Sequence, residues 1–319
     1  MRTKVFLRLI VLFCLYLVGA SSALADENKD MKMEESSQIL SEINWYKNDF
    51  PPYFILKGPY KGLGILDRLY PHIISALPSY KHNFFVTNNP GFFKRVALGH
   101  NVCSLSLMKT EERAKHVYFS KPYLFLLQNG LFIRNSDIEK FVEYFTSDGK
   151  VVLSRLIKDK DLVLGVKRGV SYGGGLDEII SANIDNKNIV SRKGKDLNEG
   201  LFKMLRLGRI DYLIAYDESM NFMITKLDVP SNFLFIPIDE LPKQHLNQAG
   251  VSCSKNEFGK KVINEINKIL EDEKIIEQTK KYYMNWLSND AILEYKKILK
   301  EKNETMNEKA ERRNEQAEK

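Results

Sequence analysis

Short runs of apolar, β-favouring residues alternate along this chain with stretches whose apolar residues recur at helical spacing. The runs that predict strands are EINWYK, HNFFVT, NVCSLSL, LFLLQNGLFI, DLVLGV, DYLIAY, FLFIPI and AGVSCS. Between them, Leu197, Leu201 and Leu205 recur every fourth residue, and a similar stripe runs through NEFGKKVINEINKIL. Strands that alternate with amphipathic helices predict an α/β fold with crossover helices.

The first 25 residues have the layout of a secretory signal peptide. MRTKVFLR is basic, LIVLFCLYLVGA is apolar, and Ala23-Leu24-Ala25 offers the small residues of a cleavage site before Asp26. The apolar run is short for a membrane span, and an uncleaved N-terminal anchor is the alternative. We therefore expect cleavage after Ala25 and a soluble mature chain in the periplasm.

The remainder is long for a single core. Removing 25 of the 319 residues leaves 294, which favours two domains. Residues 26–40 are polar and predict a loose leader. Residues 291–319 are rich in charge, and they predict a solvated helix or a disordered tail, with a partner-binding helix as the alternative.

Charge and cysteine content exclude several classes of function. The formal net charge of +7 falls to +4 without the signal peptide, because that segment holds three basic residues and no acid. The remaining lysines are scattered among acids, so no surface for nucleic acid is predicted. Cys103 and Cys253 form either a disulfide or two buried thiols. Neither has a partner at zinc-ligand spacing, so we expect no metal site.

One short stretch, KTEERAKHVYFSKPY, carries candidate chemistry. Thr110 suits a helix N-cap, and Glu111 and Glu112 suit the positive end of the helix dipole. Because NVCSLSL is a strand, Arg113 is expected one turn into a helix, where open α/β folds bind ligands. A guanidinium there can bind a carboxylate with two parallel hydrogen bonds. The alternative is an exposed arginine paired with a neighbouring acid.

This stretch, with LFLLQNGLFI after it, resembles the Thr-x-x-Arg…Phe-Ser-x-Pro-Tyr signature of extracellular solute-binding proteins, family 3. INWYKNDFPPYFILKGPYKGLGILDRL is similar to that family's first strand, Pro-Pro turn and first helix. DLVLGVKRGVSYGGGLDEII is similar to its second-lobe ligand loop, and LRLGRIDYLIAYD to its Gly-Arg-x-Asp strand. The resemblance covers residues 41–288, with all four motifs in the family's order.

The resemblance implies a two-lobed type II periplasmic-binding-protein fold, each lobe a mixed sheet flanked by helices and joined by two crossing strands. Lobe 1 would comprise residues 41–130 and 250–290, and lobe 2 residues 135–245. The crossings would fall near Asn129–Arg134 and Gln248–Ser252. Proteins of this family need no cofactor, and we expect none here.

The resemblance also implies the ligand contacts in lobe 1. Arg113 would bind a carboxylate, and Thr110 belongs to the same motif. Ser106 and Met108 would occupy positions where the family has a small residue and a threonine, although Met108 departs from that pattern. The remaining expected contacts are Phe50, as an apolar wall or as packing within FPPYF, and Lys47.

In lobe 2 the expected contacts are Lys167, Gly169 and Ser171, on a glycine-bearing loop whose N–H groups favour an anion. An ordinary surface turn is the alternative. Many relatives end the Gly-Arg-x-Asp strand with an aspartate that pairs with the ligand's ammonium. Tyr216 takes that place here, with Asp217 next to it. A phenol cannot supply a full counter-charge, and neighbouring strand residues face opposite sides.

These residues together predict a monomeric binding protein for a small carboxylate-bearing solute, an amino acid or a related organic anion. The expected partner is an ABC importer or a membrane sensor. Two alternatives stay open. One is a periplasmic dehydratase-like enzyme using Asp217 or His116 as its acid or base. The other is a stand-alone sensor protein of the same fold.

Overall fold

The structure is a computed structural model that describes residues 41–193, 196–242 and 246–317. The expected signal peptide, 1–25, and leader, 26–40, lie outside the described residues. The chain divides into a small unit, described for residues 41–43 and 78–81, and a large unit that holds all other described residues. In the small unit, the Lys81 ammonium pairs with Glu42 at 2.7 Å. The candidate site residues discussed below belong to the large unit.

Nine of the described strands follow the predicted apolar runs, and two, Val117–Phe119 and Ile189–Arg192, lie outside them. The strands are β1 Ser41–Lys47, β2 Tyr80–Val86, β3 Val102–Met108, β4 Val117–Phe119, β5 Leu124–Leu126, β6 Gly130–Arg134, β7 Leu164–Lys167, β8 Ile189–Arg192, β9 Tyr212–Ala215, β10 Phe233–Pro237 and β11 Asn247–Ser254. The run LFLLQNGLFI contains both β5 and β6.

The helices lie between these strands. They are α1 Ile65–Ser75, α2 Asn89–Ala97, α3 Glu111–Ala114, α4 Leu153–Leu156, α5 Leu176–Ser181, α6 Leu197–Arg206, α7 Asp217–Leu227, α8 Glu257–Ile269, α9 Glu273–Met284 and α10 Asn289–Ala317. Two 3₁₀ helices, Asn135–Lys140 and Val142–Tyr144, follow β6. Within the described residues, no helix combines the length and the apolar character that crossing a membrane requires.

Lobe 1 is built on a mixed sheet in the order β2-β1-β3-β11-β4, with β5 also paired to β11. Strands β1 and β3 are parallel, and β11 runs antiparallel to β3, β4 and β5. Most of β3 is buried, as expected of a central strand covered on both faces. Its last residue, Met108, leads directly to the segment that carries Arg113.

Lobe 2 is built on a second mixed sheet in the order β10-β6-β9-β7-β8. Strand β7 is parallel to β8 and β9, whereas β6 is antiparallel to β9 and β10. The stripe predicted on α6 is buried through Leu201 and Leu205, which pack with Phe202 and Ile210 against this sheet. Strands β7 and β9 therefore end beside each other, and both carry expected site residues.

The chain passes between the two sheets twice. It leaves lobe 1 after β5 and enters lobe 2 at β6, so the first crossing comprises residues 127–129. It leaves lobe 2 after β10 and returns at β11. At the first crossing Gly130 leaves room for a close approach, since a Cβ atom there would overlap the Phe235 ring.

The C-terminal helix α10 begins as part of the core. Ala291, Tyr295 and Ile298 are buried. The Tyr295 hydroxyl donates to the Phe125 carbonyl at 3.0 Å, and the Lys302 ammonium lies 4.2 Å from the centre of the Phe125 ring. The expected boundary at residue 290 is therefore too early, because these apolar residues recur at helical spacing among the charges.

Candidate functional site

The backbone around Arg113 is held by the local pattern of the sequence. Helix α3 begins after Thr110, whose hydroxyl accepts a hydrogen bond from the Arg113 N–H at 3.2 Å. Glu111 and Glu112 lie in the first turn, where the helix dipole favours negative charge. The segment thus positions Arg113 one turn beyond the carboxyl end of β3.

The Arg113 guanidinium is half-buried and has spare hydrogen-bond donors. One N–H donates to the Met108 carbonyl at 2.8 Å, which orients the group. Among the described residues no carboxylate lies within ion-pair distance of it, since Glu112 pairs with Lys115 and His116 instead. Partial burial lowers the pKa of Arg113 from its ordinary value, yet an arginine remains charged at neutral pH.

Two further lobe 1 residues border the end of β1. The Lys47 ammonium lies 5.7 Å from the centre of the Phe54 ring, and no described carboxylate pairs with it. Phe50 is 38% exposed and stacks on Tyr53 with ring centres 5.2 Å apart. Phe50 therefore packs on Tyr53 and is partly exposed, and its role as an apolar wall of a ligand site stays a prediction.

Ser106 and Met108 contribute little free hydrogen-bonding capacity through their side chains. The Ser106 hydroxyl lies 3.3 Å from the Ser104 hydroxyl and donates to the Asn48 amide oxygen at 3.4 Å. Met108 uses its backbone carbonyl to hold Arg113. These two residues thus shape and orient the lobe 1 surface rather than adding charge to it.

A disulfide joins Cys103 to Cys253 inside lobe 1. The two residues are directly opposed in the antiparallel pair β3 and β11, with Cα atoms 4.1 Å apart. Both are fully buried. The bond therefore ties the strand that leads to Arg113 to the strand on which the chain returns from lobe 2.

Lys167 is the cationic residue of lobe 2 at the end of β7. Its ammonium donates to the Asn198 amide oxygen at 3.1 Å and lies 5.4 Å from the centre of the Tyr172 ring. Desolvation lowers the pKa of Lys167 to about 8, although the nearby Glu218 carboxylate opposes the shift. Lys167 thus carries a positive charge at neutral pH in a poorly hydrated environment.

The glycine-bearing loop after β7 is organised around an acid of its own. The Ser171 hydroxyl donates to Asp177 at 2.5 Å, and the N–H groups of Tyr172 and Gly173 donate to the same carboxylate at 2.8 and 3.1 Å. Gly169, with a positive φ of 78°, is the exposed turn residue of this loop. The Ser171 hydroxyl thus helps to close the loop, and its contact with a ligand stays a prediction.

Tyr216 and Asp217 behave differently from each other at the start of α7. Burial, together with the charge of Glu218, raises the pKa of Tyr216 to about 12, so its phenol is neutral. The Asp217 carboxylate is buried and accepts from both the N–H and the hydroxyl of Ser288 at 2.8 Å. The position of Asp217 at the helix start turns its carboxylate toward the α9–α10 connection, and its ligand contact stays a prediction.

Glu218, which was not predicted as a site residue, lies fully buried beside these residues. Tyr53 donates to one carboxylate oxygen at 2.5 Å, and Tyr283 donates to the other at 3.1 Å. Burial raises the pKa of Glu218 from its ordinary value of 4.5 to about 7. Its only sequence signal is an acid at a helix start, which indicates a dipole effect as readily as a buried group.

The described residues contain no cluster of three or more histidine, cysteine, aspartate or glutamate side chains able to hold a metal ion. The arrangement instead offers three cations without an ion-pair partner in the described part of the chain: Arg113, Lys47 and Lys167. Such groups bind anions through charge and hydrogen bonds, without a chemical reaction.

The structure is similar to several solved proteins, two of which are named for the amino acids they bind. An ancestral cationic amino acid solute-binding protein matches at a TM-score of 0.56 and 17% identity, covering 81% of this chain and 100% of that one. An ancestral arginine-binding protein bound to arginine matches at 0.54 and 19%, covering 79% and 100%. A histidine kinase sensor domain with similarity to periplasmic binding proteins matches at 0.55 and 15%, covering 78% and 96%.

No protein-family model matches the sequence, and no curated protein matches it either. Because the sequence identities are below 20%, these structural similarities are evidence for the fold alone. The chain therefore has the two-lobed type II periplasmic-binding-protein fold that its four motifs predict.

Proposed function

We propose that this chain is a non-catalytic solute-binding protein of the family 3 type, which captures a small carboxylate-bearing solute between its lobes. In this proposal Arg113 binds the carboxylate. The observation that carries it is the half-buried guanidinium that lacks a carboxylate partner among the described residues, held at the end of a buried strand. A fixed guanidinium can bind a carboxylate with two parallel, charge-assisted hydrogen bonds.

The other charges of the site support an anionic solute. Lys47 and Lys167 add positive charge in lobe 1 and lobe 2, and neither is neutralised by an ion pair in the described residues. Tyr216 is neutral and Asp217 is bonded to Ser288, so neither supplies a free counter-charge for an ammonium group. We therefore favour organic anions, with standard α-amino acids as the second class to test.

In this proposal the protein delivers the captured solute from the periplasm to an ABC importer, a role that fits the fold and the expected signal peptide. A sensory role is the second candidate, supported by the similarity to a histidine kinase sensor domain. An affinity purification that recovers a permease supports the first candidate, and one that recovers a membrane kinase supports the second. Both candidates use the same capture step.

Thermal unfolding in the presence of amino acids, dicarboxylates and keto acids tests the proposal. A bound solute at a hundred times its dissociation constant stabilises the protein by about 2.7 kcal/mol, which raises Tm by roughly 5–10 °C. Arg113→Ala should weaken binding by about 2 kcal/mol or more, roughly thirtyfold. Stabilisation by neutral or cationic solutes alone would contradict the proposal.

The matched control is Arg209→Ala, because Arg209 is exposed in lobe 2. This variant should bind every solute as the wild type does. A second comparison, Arg113→Lys, keeps the charge but removes the paired N–H geometry and should fall between the two. Equal binding by Arg113→Ala and wild type would remove Arg113 from the site.

A further inference from the structure

The buried Glu218 carboxylate connects the two lobes. Glu218 belongs to α7 of lobe 2, whereas Tyr53 follows β1 in lobe 1, and the Tyr53 hydroxyl donates to it at 2.5 Å. The Tyr53 backbone is fixed on its own side, because its carbonyl accepts the Leu66 N–H at 2.9 Å where α1 begins. A rigid donor from one lobe thus meets a buried acceptor from the other.

This contact lies beside the first crossing. The second partner of Glu218 is Tyr283, whose hydroxyl also accepts the N–H of Leu127, a crossing residue, at 3.0 Å. Rotation of lobe 2 about this crossing changes the distance between Glu218 and Tyr53, which belong to different lobes. Distances between groups within one lobe change less. Opening the lobes would separate Tyr53 from Glu218 and admit water to a carboxylate that is otherwise completely buried.

We propose that the hydrogen bond from Tyr53 to Glu218 closes the lobes and so sets the affinity for the captured solute. Glu218 is therefore a positioning residue. In this proposal it does not contact the solute, and it changes solute affinity by changing the fraction of protein whose lobes are closed. The inference rests on the proposed function for its link to affinity, whereas the closing contact itself is independent of which solute is bound.

The contact makes closure depend on pH. The charged and titratable groups that face Glu218 are Tyr53, Tyr283, Tyr216, Asp217 and Lys167. The three phenols stay neutral because burial raises the pKa of each, and Lys167 stays positive up to about pH 8. Burial also raises the pKa of Asp217, but its carboxylate keeps its Ser288 contacts. Glu218 is therefore the group that changes charge on closing.

The direction of the pH dependence follows from which form, closed or open, binds the Glu218 proton more tightly. In the closed form burial raises the pKa of Glu218 to about 7, whereas water access in the open form returns it toward 4.5. Closure is therefore favoured most below pH 4.5, and this advantage is lost as the pH rises to 7. With one proton involved, the ratio of closed to open protein falls by up to about tenfold per pH unit in that window.

An interlobe distance measured with two dyes tests this in the full chain without any solute. Leu98 and Leu207, 65% and 63% exposed in lobes 1 and 2, are changed to Cys for labelling. Cys14→Ser removes the one cysteine outside the disulfide. Closed protein should be most abundant at pH 4.5 and below and should decline toward pH 7. Glu218→Gln should abolish this pH dependence, and Tyr53→Phe should lower the closed fraction throughout.

Tyr144→Phe is the matched control, since the Tyr144 hydroxyl donates to Asp159 at 2.8 Å within lobe 2. It should behave as the wild type. The inference is overturned if Glu218→Gln keeps the wild-type pH dependence, or if Tyr53→Phe leaves the closed fraction unchanged. Solute titrations then separate the two proposals. If the lobes close in a pH-dependent way but no carboxylate binds, only the proposed function is refuted. If a carboxylate binds and Tyr53→Phe leaves its affinity unchanged, only the link between closure and affinity is refuted.

Discussion

Replacing both Cys103 and Cys253 by alanine tests how strongly the disulfide stabilises lobe 1. The bond joins opposed residues of β3 and β11 across a sequence separation of 150 residues. It therefore closes a loop that contains the whole of lobe 2. Without the bond, the unfolded chain gains the conformational freedom of that loop, while the hydrogen bonds between β3 and β11 can still form.

The magnitude follows from the length of the loop. For a separation of 150 residues, the loss of loop-closure entropy corresponds to about 5 kcal/mol at 25 °C in the chain-entropy account of disulfides. Folded domains are stable by only about 5–15 kcal/mol, so the double variant should be much less stable or unfold near physiological temperature. With an m-value of about 3 kcal/mol/M, the urea midpoint should fall by roughly 1–2 M.

Urea unfolding monitored by tryptophan fluorescence measures this change, because Trp45 is buried in the lobe 1 sheet. Wild-type protein unfolded and refolded in reductant is the matched control, since it retains both sulfur atoms and lacks only the bond. Thiol labelling of the denatured chain should find Cys103 and Cys253 unreactive, and Cys14 should react only where the expected signal peptide has not been cleaved. Labelling of Cys103 and Cys253, or equal urea midpoints for all samples, would contradict the stabilising role of the disulfide.

Two further changes test contacts that the sequence did not reveal. Ending the chain after Ser288 removes Tyr295 and Ile298 from the core, which should lower the free energy of unfolding by at least about 3 kcal/mol, whereas ending it after Lys302 should change little. Equal urea midpoints for the two truncations would contradict this. Asp217→Ala should cost about 2–3 kcal/mol by leaving two Ser288 donors unpaired, and binding titrations should show solute affinity unchanged. Lost binding with normal stability would instead assign Asp217 to the site.

The surroundings of Arg113 could be predicted because they depend on neighbours in the chain. The N-cap by Thr110, the acids of the first turn and the preceding buried strand all lie within about a dozen residues. Apolar periodicity likewise predicted the strands and the stripe of α6, since each element must bury one face. The order of these elements, matched to four family motifs, then predicted the two-lobed fold.

The roles of several polar residues could not be predicted in the same way. Asp217 and Ser171 were expected to contact a ligand, but their partners are Ser288 and Asp177. Glu218 escaped notice because its partner Tyr53 lies 165 residues away. A buried carboxylate needs hydrogen-bond donors, and many polar side chains in the sequence could supply them. Only the packed structure shows which donor is within reach.

Local sequence patterns predict most of the strands, the helical stripe of α6, a candidate carboxylate-binding arginine one turn into a helix, and the fold that the motifs imply. Those properties arise from local spacing and from the need to bury apolar faces. The tertiary structure decided which polar groups find partners, and therefore which remain free to bind a solute. The Cys103–Cys253 bond, the Asp217–Ser288 contact and the buried Glu218 each depend on bringing distant segments together. Hydrogen bonds and disulfides act over only a few ångströms, so their formation depends on the folded positions of both partners.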